Sequence, residues 1–216
     1  MNNNIDKNPK LIKQLLGLEK FEDNRTSTIY LSLNSARFFT KNNLFVCEFS
    51  APELENILTE KALIYEFLFS GLLNYLIFIE QIGGLLGLDI KKVIEKFFPN
   101  EFSNEEKESI YQFRNSFAHR FSLATQNKDL KSRKFRLEHK SNENEKPINE
   151  AKEKWFNDFK DDIYKDKSDE TDTVVNVKSF INFCEEFYNK VVSENENNNL
   201  LLVIQENEIM AKYTIK

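Results

Sequence analysis

SNEEKESIYQFRNSFAHR, residues Ser103 to Arg120, is the stretch on which the fold turns. Pro99 and Asn100 break the segment before it. Ser103 and Glu106 then stand in capping-box spacing, so a helix is predicted to begin near Asn104. At about 100° per residue, Ile110, Phe113 and Phe117 share one side and face a core. Arg114, Asn115 and His119 share the opposite side, with Tyr111 and Gln112 among them. Asn115 and His119 are four apart and therefore surface neighbours. Arg114 and His119 are five apart, about 140° around the axis. One helix converges these two poorly. An opened last turn, or a second copy of the helix, would bring them together.

The chain holds two histidines and six arginines, so this pairing of the two types is informative. Phosphoryl transfer on RNA needs an imidazole to move protons and a guanidinium to grip a phosphate with its fork of donors. The segment Arg114-Asn115-Ser116-Phe117-Ala118-His119 resembles the HEPN superfamily, whose ribonuclease members carry Arg, four to six residues, then His, with a polar residue after the Arg. The resemblance implies an α-helical bundle that dimerises so that two motifs form one metal-independent RNA-cleaving site. It also implies a toxin or anti-phage, CRISPR-type defence setting, with an antitoxin or defence effector as partner. Arg114, Asn115 and His119 would be the catalytic set. One branch of the family has Tyr two residues after the His; Phe121 stands there in this chain. The same residues also fit a plainer reading, a polar helix face with a helix-terminal His beside the local dipole.

Composition agrees with a helical protein. With 216 residues, 40% of them hydrophobic and 20 of them Phe, one core of ordinary size is available. Only five Gly and four Pro favour long helices over a turn-rich β-sandwich. A net charge of −5 is not the footprint of a protein that coats nucleic acid, so any RNA site must be a local basic patch. Cys47 and Cys184 do not suggest a disulfide framework, and residues 1–10 lack a signal-peptide pattern. Both point to a cytoplasmic protein with reduced thiols.

Outward from the motif, residues 9–20 suit a short helix, and 28–39 and 44–49 are ambiguous, with 30–33 readable as strand. Ser50, Pro52 and Glu53 signal the start of a long helix running to about Gln81 and ending at Gly83-Gly84. Residues 89–98 make another helix. Residues 121–137, centred on Asn127-Lys128-Asp129, read as a β-hairpin or ordered loop. Residues 141–154 are polar and 158–172 acid-rich, a solvated insertion anchored by Trp155, Phe156 and Phe159. Residues 172–177 form a strand and 178–193 a helix with Phe180, Ile181, Cys184, Phe187 and Val191 inward. Residues 193–199 are a loop, and 200–215 a terminal strand or hairpin. The whole is read as a single, mostly α HEPN-like domain over 1–216. Its parts are an N-terminal extension (1–50), a core with the motif (51–140), the insertion (141–172), and a C-terminal helix and tail (173–216).

Residues 62–79 carry one charge, Glu66, and touch the lower length limit for a membrane helix. A buried bundle helix explains them as well. Glu66, Ser70, Asn74 and Gln81 lie on one narrow stripe, which a lipid-facing helix would rarely keep. That favours the soluble reading over membrane association. Glu66 and Asn74 are then candidates to orient Arg114 from behind.

Basic residues follow the motif closely, and Arg120, Lys131, Arg133, Lys134 and Arg136 are the candidate RNA-binding set. As a lip they would guide RNA backbone toward His119 in a salt-sensitive way; they equally suit the solvated face of a hairpin. No P-loop, GxGxxG, GxSxG or HExxH occurs. Asp158, Asp161 and Asp162 are a weak metal candidate, so no cofactor is expected. The function that follows is an endoribonuclease acting as a homodimer or higher even oligomer. The alternative is a non-catalytic accessory protein that binds RNA or a defence effector.

Overall fold

The computed structural model describes residues 7–48, 57–120, 123–125, 132–138, 145–153 and 168–216. In chain order these form α1 (Pro9–Leu15), β1 (Thr26–Ser27), α2 (Thr28–Glu48), α3 (Ile57–Leu85), α4 (Ile90–Phe97) and α5 (Asn104–Arg120). Then follow β2 (Ala124–Thr125), β3 (Arg133–Glu138), β4 (Ile148–Asn149), α6 (Ser168–Thr171), β5 (Asp172–Asn176), α7 (Val177–Glu196), α8 (Glu206–Tyr213) and β6 (Thr214–Ile215). The fold is mostly α, as composition requires. The chain divides into two compact units, residues 1–93 with 187–216 and residues 94–186. The division falls inside α4 and α7.

In the first unit, Asn8 caps α1 by accepting from the Leu11 amide at 3.0 Å, and Pro9 occupies the first turn, where a missing N–H costs nothing. The ambiguous 28–39 region is helix and not strand. Ser27 Oγ accepts from the amides of Ile29 and Tyr30 at 3.1 and 3.3 Å, which starts α2. Ile29, Leu33, Ala36 and Thr40, spaced three and four apart, are all buried, so the helical period wins over the short run at 30–33. α2 packs on α3. Their close approach requires Gly71, where a Cβ would lie 2.7 Å from Thr40 Cγ2.

The expected start of the long helix at Ser50–Glu53 lies outside the described residues. Its last helical residue is Leu85, four beyond the predicted Gln81. The helix runs through Gly83-Gly84 and stops at Gly87, whose φ of 66° is the left-handed C′ geometry. The Leu88 amide donates to Gly83 O at 2.8 Å and the Gly87 amide to Gly84 O at 3.2 Å, which is the Schellman pattern. Phe67–Leu85 is long and apolar enough to cross a membrane, with a mean hydropathy of 1.3, yet 56% of it is buried inside the protein. Leu68, Leu72, Tyr75, Leu76, Phe78 and Ile79 supply that burial.

Residues 200–215 depart in part from the expected terminal strand or hairpin. Half of this stretch is α8, with Ile209 buried and Lys212 paired to Glu208 at 2.6 Å one turn away. The strand survives as β6 alone, antiparallel to β1 with Thr26 opposite Ile215. The loop expected from Ser193 begins later, because α7 continues to Glu196.

The second unit is built around an aromatic core. Phe113 sits against Phe117 (4.4 Å between ring centroids), Phe135 (5.2 Å) and Phe180 (5.8 Å), while Phe183 meets Phe98 and Phe102. Beside it lies a sheet in the order β2-β3-β5-β4. The predicted hairpin is present as β2 antiparallel to β3, Ala124 opposite Lys134, although its centre at 127–129 lies outside the described residues. The strand predicted at 172–177 is present over 172–176, and it pairs parallel to β3, with Phe135 opposite Thr173. That long-range pairing had no local signal. β4 closes the other side, antiparallel to β5. Part of the segment expected as a solvated insertion is thus built in, and Ile148 is fully buried. Its anchor Trp155, Phe156 and Phe159, and Asp158, Asp161 and Asp162, lie outside the described residues.

Candidate active site

Helix α5 begins as its sequence dictates. The Glu106 amide donates to Ser103 Oγ at 3.1 Å, and the Ser103 amide donates to Glu106 Oε2 at 2.7 Å. Burial pushes the Glu106 carboxyl up. The Lys146 ammonium at 2.6 Å, the Ser103 amide and the Ser103 hydroxyl outweigh it and hold the group below the usual range. A second tie comes from the same neighbouring segment. The Ser109 hydroxyl donates to Glu150, whose other oxygen lies 3.2 Å from Arg133 Nη2. Residues 146–150 therefore fasten the first two turns of α5 through two carboxylates.

The core face carries Ile110, Phe113 and Phe117, each fully buried. Burial spreads further round the helix than periodicity of apolar residues suggests, since Ser109, Gln112 and Ser116 are buried as well. Gln112 had been expected on the polar face; it is buried and donates to Glu108 at 3.0 Å.

Arg114 and Asn115 remain half-exposed, and Arg114 Nη1 donates to Asn115 Oδ1 at 3.0 Å. This contact bears on the angular gap. On an ideal helix Asn115 is about 100° from Arg114, and His119 about 40° beyond Asn115. The hydrogen bond therefore draws the guanidinium round the axis toward the residue that neighbours His119. His119 belongs to the last turn of α5 by its backbone; its side chain and that of Arg120 lie outside what is described. The planar fork of a guanidinium is the geometry that grips a phosphate.

The expected basic lip is less uniform than its sequence. Lys131 lies outside the described residues. Arg133 points inward with Phe135, its side chain 7% exposed, and is committed to Glu150. Lys134 and Arg136 point to the other face of β3, where Lys134 Nζ is 2.9 Å and Arg136 Nε 3.9 Å from the carboxylate oxygens of Asp172. Asp172, Glu150 and Lys146 were not singled out from the sequence. Their roles depend on strand pairings that local patterns do not encode.

Glu66 and Asn74 belong to α3, in the first unit. Asn74 donates its amide to Ser70 O at 2.7 Å within its own helix, and the Glu66 side chain is not among those described. Gln81, on the same stripe, reaches Thr28 Oγ1 of α2 at 3.4 Å. Among the described residues no group of His, Cys, Asp and Glu is arranged to hold a metal ion. Cys184 is buried, and desolvation pushes its thiol well up, which keeps it protonated and unreactive. Set against protein-family models, curated proteins and solved structures, the chain matches none.

Proposed function

We propose that the protein is a HEPN-like, metal-independent RNA endonuclease. The observation that carries this reading is the Arg114–Asn115 hydrogen bond on the solvent side of a capped helix whose opposite side is locked by Phe113 and Phe117. Arg114 binds the scissile phosphate and stabilises the charge that develops on it. His119 takes the proton from the ribose 2′-OH or returns one to the leaving 5′-oxygen. Asn115 keeps the guanidinium on the His119 side of the axis. A second copy of α5 across a two-fold axis completes the set, so the active species is a homodimer or higher even oligomer. The biological setting this chemistry suits is a cytoplasmic toxin or phage-defence effector, restrained by an antitoxin or a defence partner.

The test is cleavage of single-stranded RNA by the purified protein beside Arg114→Ala and His119→Ala. Loss of cutting in both, with unchanged circular dichroism, supports the reading; full cutting by folded His119→Ala overturns it. A second reading, a non-catalytic accessory protein, is favoured by one observation: Arg133, Lys134 and Arg136 are engaged by the chain's own carboxylates. Folded wild-type protein that binds RNA or a defence effector without cutting would select it.

A further inference from the structure

One flank of α5 is both polar and buried. Ser109, Gln112 and Ser116 follow one another at intervals of three and four residues, and none is more than 4% exposed. The Ser109 hydroxyl donates to Glu150, and Gln112 donates to Glu108 at 3.0 Å. Ser116 Oγ has no hydrogen-bond partner, although the residue is 1% exposed. A hydroxyl on a helix has an ordinary refuge in the carbonyl four residues back. Ser32 and Thr40 of α2 take it, each at 2.9 Å. Among the described residues, Gln81 and Asn195 also carry a buried oxygen without a partner. Both still donate through the amide nitrogen, to Thr28 and Pro9. The Ser116 side chain makes no hydrogen bond at all. Buried polar groups are paired in nine cases out of roughly ten, and sites of chemistry are among the places that keep exceptions.

Its place on the helix says what the exception is for. Ser116 and His119 are three residues apart, so their Cβ positions are neighbours at about 5–6 Å. Viewed down the axis, Ser116 lies about 60° to one side of His119, while Asn115 and Arg114 lie about 40° and 140° to the other. Asn115 Oδ1 is already engaged by Arg114. Ser116 Oγ is the side-chain acceptor within one turn of His119 that is not.

We infer that Ser116 is the positioning residue for His119: its hydroxyl accepts one imidazole N–H and so turns the other, unprotonated nitrogen toward Arg114. The inference rests on the nuclease reading above and specifies what sets the tautomer of its base. A neutral imidazole carries one proton, and the hydrogen bond made by one ring nitrogen fixes the state of the other. Attack by the ribose 2′-OH needs the bare nitrogen on the side where the phosphate is gripped, which is the Arg114 side. The serine keeps its own proton throughout, and no existing side-chain bond is broken to form the new one.

The experiment compares Ser116→Ala with wild type in three measurements. The melting temperature should hold or rise, because no partner is lost and alanine is the better helix former. The chain has two histidines, so ¹⁵N spectra show two imidazoles, and the one missing from His119→Gln is His119. Spectra are taken alone and with a 2′-O-methyl oligoribonucleotide, which lacks the nucleophile. With the oligonucleotide, the wild-type His119 ring should hold one tautomer and Ser116→Ala should show both, with His139 unchanged. Single-turnover cleavage of unmodified RNA should slow by about 10–100-fold, a part of the hundred- to ten-thousandfold that an acid–base group contributes. Affinity for the 2′-O-methyl strand should change by less than about twofold, since substrate binding is not the role assigned.

Identical His119 spectra in wild type and folded Ser116→Ala, with and without the oligonucleotide, overturn the inference. So does an unchanged cleavage rate beside an active wild type. A fall in melting temperature of more than about 5 °C also overturns it, because the hydroxyl would then be a structural tie. An altered His119 ring in Ser116→Ala, with a wild type that never cuts RNA, keeps the serine–histidine pair and rejects the nuclease. Equal cleavage by both proteins with an unaltered ring does the reverse.

Discussion

Truncation of Phe117 to Ala tests the side of α5 on which the whole reading depends. The ring is fully buried and lies 4.4 Å from that of Phe113 in an edge-on arrangement. Removing it from the core forfeits about 1.5–3 kcal/mol of transfer free energy. The aromatic pairing adds roughly 0.5–1.5 kcal/mol. Phe113 is itself fixed by Phe135 and Phe180, so the site cannot collapse freely and a cavity remains. The expected total is about 3–5 kcal/mol. In urea, with a slope of about 2–3 kcal/mol per molar, the midpoint should fall by roughly 1–2.5 M. Circular dichroism follows the transition, and hydrogen exchange assigns it. Protection should be lost from residues 94–186, because the first unit has its own core. Arg114→Ala, on the half-exposed face, should move the same midpoint by less than about 0.5 M. A loss below about 1 kcal/mol for Phe117→Ala would mean that the ring is not a core group. The polar and apolar faces of α5 would then be misassigned, and Arg114 with them.

Four other outcomes are expected. Arg114→Ala and His119→Ala should each lower RNA cleavage or cellular toxicity by at least about a hundredfold while the protein stays folded, read from single-turnover rates. Cleavage should persist in EDTA and leave a 2′,3′-cyclic phosphate, seen by mass spectrometry of the products; rescue by magnesium after loss in EDTA would count against 2′-OH attack assisted only by side chains. The folded Glu106 carboxyl titrates below its unfolded counterpart, so its stabilisation is present above the unfolded value and is lost as pH falls through the folded one. Glu106→Gln should therefore be less stable than wild type near neutrality and show a shallower loss in acid melts below about pH 4. Light scattering at working concentration should give a dimer or higher even oligomer, and a monomeric mass with undiminished cleavage would refute the composite site.

The parts of the fold legible in the sequence are those set by residues close together in the chain. Ser103 and Glu106 announce the start of α5 because both halves of the capping box lie within one turn. Asp89 does the same for α4 by accepting from the Lys92 amide at 2.8 Å. The misread segments are those where two local signals compete. Gly83-Gly84 look like a helix stop, yet a stop needs a left-handed residue, and the chain places that at Gly87. Residues 200–215 alternate loosely as a strand would. The acidic first turn at Glu206 and Glu208 and the Glu208–Lys212 pair instead support a helix, the more so with Ile209 as its single buried anchor.

The candidate site divides along the same line. Arg114 and Asn115 are adjacent, so helical geometry alone places them, and the structure adds only the hydrogen bond that turns one toward the other. The charge state of the basic stretch could not be read in this way. Residues 133–136 are cationic in sequence, but the acids that engage them come from positions 150 and 172, across an edge strand and a parallel pairing. A parallel pair needs a long connection and leaves no turn signature between its strands. A basic run in an acidic protein therefore reads as a nucleic-acid surface until the sheet is known. Once it is known, alternation along β3 separates an internal cation, Arg133, from two that face solvent. The question for RNA binding then passes from how many positive charges the segment has to which of them the chain's own carboxylates can give up.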